Sequence, residues 1–227
     1  MNIKMSVGEV MKRQHQFLGS LIILCYASFA VFYWGVTSRA AWINQYDQTI
    51  YHWLKPLHPN STPFFTLYTK IGNPLIISMI TLAVVLILIF VRHWRWSVFL
   101  AINMVIGNLI NHFVKSIVQR PRPSLPHLVV ETGYSFPSGH ATAAVMFFGS
   151  LILIGHFLIK QKSWHHLWIG IMLIMLLLLG ISRLYVQVHY PSDVTAGFLL
   201  ALGNLTIFWL IAAKTYLKPE IRQSNLQ

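Results

Sequence analysis

Between Asn73 and Arg92 the chain reads PLIISMITLAVVLILIFV, residues Pro74–Val91, with no charged side chain. A backbone in lipid has to satisfy its own hydrogen bonds, and a crossing helix needs about 20 mostly apolar residues. This run therefore reads as a membrane span, and apolar residues extend it back toward Phe64. Five other stretches share the pattern: Phe17–Val36, Trp96–Val114, Ala141–Ile159, Leu167–Ile181 and Val194–Ala213. The expected fold is all-α: a polytopic membrane protein whose residues 1–227 form a single integral membrane domain, a six-transmembrane-helix bundle.

Composition supports this reading. Hydrophobic residues make up 56% of the 227 residues and charged residues 10%, against about 25% charged in an ordinary soluble domain. Mean hydropathy is +0.59. Such a chain cannot cover a soluble globule with polar surface, which excludes a soluble enzyme, a disordered protein and a secreted disulfide scaffold. Cys25 stands alone, so no internal disulfide and no cysteine metal site is expected. The net charge of +12, from 17 Lys and Arg against 5 Asp and Glu, would suggest nucleic acid on a soluble protein. Here it implies membrane flanks and an anionic substrate, with no nucleic-acid partner.

Six spans place both termini on one side. Ten of the 17 Lys and Arg then fall on the termini side and seven opposite. The positive-inside rule puts the termini in the cytoplasm. The first span follows Lys12 and Arg13 like a signal peptide, but its apolar core exceeds the 7–15 residues of a signal h-region. It reads as a permanent helix. On the opposite side, Ile50, Trp53, Leu54 and Leu57 recur at helical spacing within Asp47–Leu57. That segment is either a helix lying in the interface or a loop helix packed on the bundle.

Three polar clusters fall at the non-cytoplasmic ends of the spans. Lys115, Arg122 and Pro123 follow the third span, whose Asn108, Asn111 and Lys115 form a polar stripe at i, i+3 and i+7. Pro137-Ser138-Gly139-His140 opens the fourth. Ser182-Arg183, His189 and Asp193 lie between the last two. Singly, each has an ordinary explanation: interfacial cations, an N-cap beside a structural histidine, an acid favoured by a helix dipole. Together they supply two histidines, a carboxylate, three cations and a helix N-terminus, which matches phosphoryl transfer. Cations and N–H groups would hold the phosphoryl oxygens while one histidine attacks and the other protonates the leaving oxygen. No metal or other cofactor is expected. The acids are too few for Mg²⁺, and a zinc ion would have to sit among three cations. A permease or ion pathway along the Asn108–Asn111 stripe is the rival reading, and it leaves the three spaced motifs unexplained.

The pattern Lys115-x6-Arg122-Pro123, Pro137-Ser138-Gly139-His140 and Ser182-Arg183-x5-His189-x3-Asp193 resembles the three-part signature of the type 2 phosphatidic acid phosphatase superfamily, in order and at its spacing. The resemblance implies a metal-independent membrane lipid phosphatase acting at the outer face. It implies His189 as a nucleophile forming phosphohistidine, Asp193 as its orienting carboxylate and His140 as general acid. Lys115, Arg122, Ser138, Gly139 and Arg183 would bind the phosphoryl oxygens. Arg120 and Glu131 receive no role. Soluble vanadium haloperoxidases share the signature but not the six apolar spans. Phosphatidylglycerol phosphate, undecaprenyl pyrophosphate and phosphatidic acid all remain candidate substrates. Small size, short loops and the absence of organelle signals suggest a bacterial inner membrane.

Overall fold

The computed structural model describes residues 7–57 and 59–224 and contains helices without strands among them. The helices are α1 (Val7–Thr37), α2 (Ala41–Leu54), α3 (Thr62–Tyr68), α4 (Pro74–Phe90), α5 (Trp94–Val118), α6 (Gly139–Ala144), α7 (Ser150–Leu158), α8 (Lys162–Tyr185), α9 (Pro191–Lys214) and α10 (Lys218–Ser224). A π-helical turn, Val145–Gly149, joins α6 to α7, so Gly139–Leu158 runs as one span. Among the described residues, five helices are long and apolar enough to cross a membrane. A sixth is reached when Thr62–Gly72 and Pro74–Phe90, which meet at 61°, count together as one bent span. Pro74 causes the break. It lacks an N–H and keeps the preceding residue out of the helical region, and Asn73 accordingly sits at φ −59, ψ 133. The Asn73 side chain then caps α4 by accepting from the Leu75 N–H at 3.0 Å.

The helix ends that build the site lie together because local signals stop and start the chain there. Helix α5 ends where Gln119 turns left-handed at φ 50 and donates its N–H to the Lys115 carbonyl, and Pro121 and Pro123 prevent its continuation. Ser138 caps α6. Pro191 occupies the first turn of α9, where its missing N–H costs nothing.

Helix α9 is the axis, packed against α1, α2, α5, α6 and α8. Its approach to α6 depends on Gly197: a Cβ there would stand 2.8 Å from the Ser138 carbonyl oxygen and 3.1 Å from the Ala141 Cβ. Polar contacts join the helices inside the bundle. Tyr26 on α1 donates to Asn204 on α9 at 2.6 Å, and Asn111 on α5 donates to Thr142 on α6 at 2.9 Å. Such bonds are worth about 0.6 to 2 kcal/mol each in a membrane bundle. At the end remote from the site, Trp96 and Trp209 stack at 6.3 Å with Phe99 and Phe157 around them. Large apolar side chains such as Ile23, Leu86, Ile87, Phe90 and Phe113 face outward, as a lipid-facing surface requires.

Helix α2 is no free interfacial ribbon. Ile43 and Asp47 are buried, Ile50 and Leu54 pack against Ala141, Leu184 and Val194, and Trp53 points outward.

Candidate active site

Three ends converge: the end of α5 with its following loop, the start of α6, and the α8–α9 connection. His189 lies in that connection and is buried at 2% exposure. Its Nδ1 faces Asp193 Oδ2 at 3.5 Å, and its Nε2 lies 3.3 Å from Arg122 Nη1. The two ring nitrogens therefore stand near different partners, the Asp193 carboxylate on one side and the Arg122 guanidinium on the other. Burial pushes the imidazole pKa down to about 3, with Asp193 pulling it up and Arg183 and Lys115 pushing it further down. Burial therefore favours the neutral ring, whose Nε2 lone pair accepts from Arg122.

Asp193 is fully buried, and both of its carboxylate oxygens are engaged. Oδ1 accepts from Arg120 Nη1 at 2.7 Å. Oδ2 accepts from the Tyr190 N–H at 2.9 Å and from the Ser135 hydroxyl. Its backbone carbonyl accepts from the Ser138 N–H at 3.0 Å, which ties the start of α9 to the start of α6.

The cations reach the site from three elements. Lys115 Nζ donates to the Tyr134 carbonyl at 2.9 Å. Arg122 is held by the carbonyls of Gly133, Thr132 and Val188 at 3.1, 2.8 and 2.9 Å. Arg183 is 1% exposed and donates Nη1 to Thr69 Oγ1 at 2.6 Å and Nη2 to Glu131. Its Nε–H is buried without a partner among the described residues. A buried donor of this kind costs about 1 to 3 kcal/mol until an acceptor reaches it. Ser138 and Gly139 open α6 beside His140, which is buried.

All the residues singled out from sequence thus stand at one end of the bundle. Lys115, Arg122, Gly139, His140 and His189 line one cavity of about 630 Å³. From there the cavity continues as an apolar groove between α4 and α5, past Ile77, Thr81, Leu82 and Val85 on one wall and Ala101, Met104 and Val105 on the other. Asn108 and Asn111 line it as well, as the polar stripe suggested.

Four participants had no assigned role in the motifs. Glu131 pairs with Arg183 and lies 3.6 Å from Arg122. Arg120 bridges Asp193 and Asp47. Thr69 orients Arg183. Gly72 lies against the His140 ring, which a Cβ at this position would strike. One signal for the acids was legible: Asp47, Glu131 and Asp193 are three of only five in the chain. Thr69 and Gly72 carried none.

The model of the PAP2 superfamily matches residues 96–216, just over half of the chain. Phosphatidylglycerophosphatase B of Bacillus subtilis is 36% identical over 107 residues, covering 45% of this chain and 50% of that protein. An undecaprenyl-diphosphatase of Sulfolobus acidocaldarius is 36% identical over 121 residues, covering 51% and 54%. The matches thus span about half the length of these relatives. Among solved structures, a transmembrane PAP2-type phosphatidylglycerolphosphate phosphatase from Bacillus subtilis superposes with a TM-score of 0.74 at 23% identity, covering 86% of this chain and 96% of the other. That likeness shows a shared fold.

Proposed function

This chain belongs to the PAP2 superfamily, and from that premise and the geometry of its site we propose that it is a metal-independent membrane lipid phosphatase working through a phosphohistidine. One observation carries the reading. Buried His189 has Nε2 beside the Arg122 guanidinium and Nδ1 3.5 Å from the Asp193 carboxylate, the pairing from which an imidazole can attack.

The steps follow from the residues present. Lys115, Arg122, Arg183 and the N–H groups at the start of α6 hold the phosphoryl oxygens, with the unpartnered Arg183 Nε–H among the donors. The His189 Nε2 lone pair forms the N–P bond as the P–O bond to the lipid breaks. His140 gives a proton to the departing oxygen. Asp193 stabilises the positive charge that develops on the ring. Water then attacks phosphorus, His140 takes its proton, the N–P bond breaks and inorganic phosphate leaves. The three cations supply the charge stabilisation that a metal ion provides in other phosphatases.

The groove between α4 and α5 supports a lipid substrate: a phosphate beside His189 leaves its tail among Ile77, Leu82, Val85 and Met104. Phosphatidylglycerol phosphate, undecaprenyl pyrophosphate and phosphatidic acid all meet this requirement. The excess of Lys and Arg on the termini side supports cytoplasmic termini and a site facing outward from a bacterial inner membrane. A permease is not favoured: Asn111 of the polar stripe donates to Thr142 on α6, which ties it into the bundle.

The test is phosphate release by purified protein in detergent from each of the three lipids, with EDTA present. Release by the wild type and none by His189→Ala is the expected result. Complete loss in EDTA with rescue by a divalent metal, or undiminished release by His189→Ala, refutes the mechanism.

A further inference from the structure

Asp47 and Arg120 stand outside the three motifs, and Asp47 precedes the residues that the family model matches. We propose that Asp47 and Arg120 act as a positioning pair for the nucleophile: together they set the orientation and the effective charge of Asp193 beside His189. The inference rests on the phosphatase reading above.

The geometry is closed. Arg120 Nη1 donates to Asp193 Oδ1 and to Ser192 Oγ, both at 2.7 Å, while Nη2 donates to Asp47 Oδ2 at 3.0 Å. Asp47 in turn accepts from the Ser192 N–H at 2.7 Å and from the Ser192 hydroxyl at 3.0 Å. The guanidinium lies over the Tyr190 ring at 3.8 Å. A planar fork held on these sides cannot turn without breaking several bonds, and lysine offers no such fork. Because Oδ1 of Asp193 is committed to Arg120, Oδ2 is the oxygen left facing His189 Nδ1.

Charge makes the second half of the argument. Arg120 alone beside Asp193 would cancel the carboxylate that His189 depends on. Asp47 offsets that cation, so the three groups together keep a net charge of −1 next to the imidazole. Helix α2 is already tied to this loop by neutral bonds, Tyr51 to the His189 carbonyl at 2.7 Å and Tyr46 with Thr195 at 2.8 Å. Anchoring the helix did not require a further ion pair with Asp47 at 3% side-chain exposure. Buried charges are costly to desolvate and contribute little to stability, so orientation of the charged site is the gain that accounts for them.

The test compares Asp47→Asn, Arg120→Lys, Asp193→Asn and the double variant Asp47→Asn/Asp193→Asn, with dioctanoyl phosphatidic acid in detergent micelles as the probe. The amide oxygen introduced by Asp47→Asn still accepts from the Ser192 N–H while its NH₂ faces Arg120 Nη2, so this variant should fold with a lowered melting temperature. Its kcat should drop about 10- to 100-fold, by analogy with removing the partners that orient metal-ligating side chains. Its KM should stay unchanged, because Lys115, Arg122 and Arg183 are intact. In the Asp193→Asn background the loss should almost disappear, since the pair acts through Asp193. An equal loss in both backgrounds, or wild-type kcat in a folded Asp47→Asn, overturns the proposal. Should Asp47→Asn fail to fold, Arg120→Lys paired with Asp193→Asn answers by the same non-additivity. A wild type inert toward all three candidate lipids overturns the phosphatase reading and the positioning role with it. An active wild type with an unaffected variant overturns the positioning role alone.

Discussion

Replacing Asp193 by Asn removes a charge from the most enclosed position of the site, and the structure sets the size of the effect. The carboxylate Oδ2 lies 3.5 Å from His189 Nδ1. At an effective dielectric of about 20, a unit charge at that distance stabilises the imidazolium character of the transition state by about 4–5 kcal/mol. That corresponds to a drop in kcat of roughly 10³, within the 10²–10⁴ seen when a hydrolase triad loses its orienting carboxylate. Stability is affected separately. Asp193 accepts at both oxygens, from Arg120 on one side and from Ser135 and the Tyr190 N–H on the other. An amide has one acceptor, so one side loses its partner, at a cost of about 1–3 kcal/mol. The protein should fold with a lowered melting temperature. The assay is rapid-quench trapping of phosphoenzyme from labelled phosphatidic acid, with steady-state turnover measured on the same preparation. Phosphoenzyme should form about 10³ times more slowly. A folded Asp193→Asn protein that forms phosphoenzyme within a factor of about ten of wild type would show that Asp193 is only a helix-start residue.

Three further outcomes are expected. The His189 pKa falls from 6.5 to about 3 on folding, so the unfolded chain binds the extra proton between those values. Stability in detergent should therefore fall by about 1.4 kcal/mol for each pH unit lost below 6.5, and the acid limb of kcat/KM should lie well below 6.5. A kcat/KM limb centred at the ordinary histidine value, or an acid slope that persists unchanged in His189→Ala melting curves, contradicts this. Gly197→Ala forces a methyl group to within 2.8 Å of the Ser138 carbonyl, an overpacking cost of about 1–3 kcal/mol. It should lower both the melting temperature and kcat by parting α9 from the α6 start; an unchanged melting temperature argues against close packing there. Glu131→Gln removes the carboxylate paired with Arg183 and Arg122. Vanadate should then inhibit more tightly, and relative rates among the three lipids should change without loss of turnover; identical ratios and identical inhibition would leave Glu131 a plain ion-pair partner.

What the sequence determined by itself was whatever its physics writes locally. An uncharged apolar run such as Pro74–Val91 points to lipid from its own composition. Short-range spacing put Ser138 before His140 and Asp193 one helical turn after His189, so the chemistry of each cluster could be read without coordinates. Pro191 and the Pro121–Pro123 pair marked where helices start and stop because proline's missing N–H acts at its own position. Tertiary structure alone decided which distant groups meet. Asp47 reaches Arg120 across 73 residues, and Arg183 reaches Thr69 across 114. Their one-dimensional neighbourhoods differ little from those of ordinary polar residues. The direction of the His189 pKa was likewise beyond the sequence. Asp193 pulls it one way and the cations the other, and burial, which only the packed bundle produces, outweighs the carboxylate. Gly72 makes the same point: nothing around it in the chain signals a role, and only the bend at Asn73 brings it against His140. Charge, hydropathy and helix punctuation act within a few residues. Desolvation and side-chain pairing depend on which helices pack together.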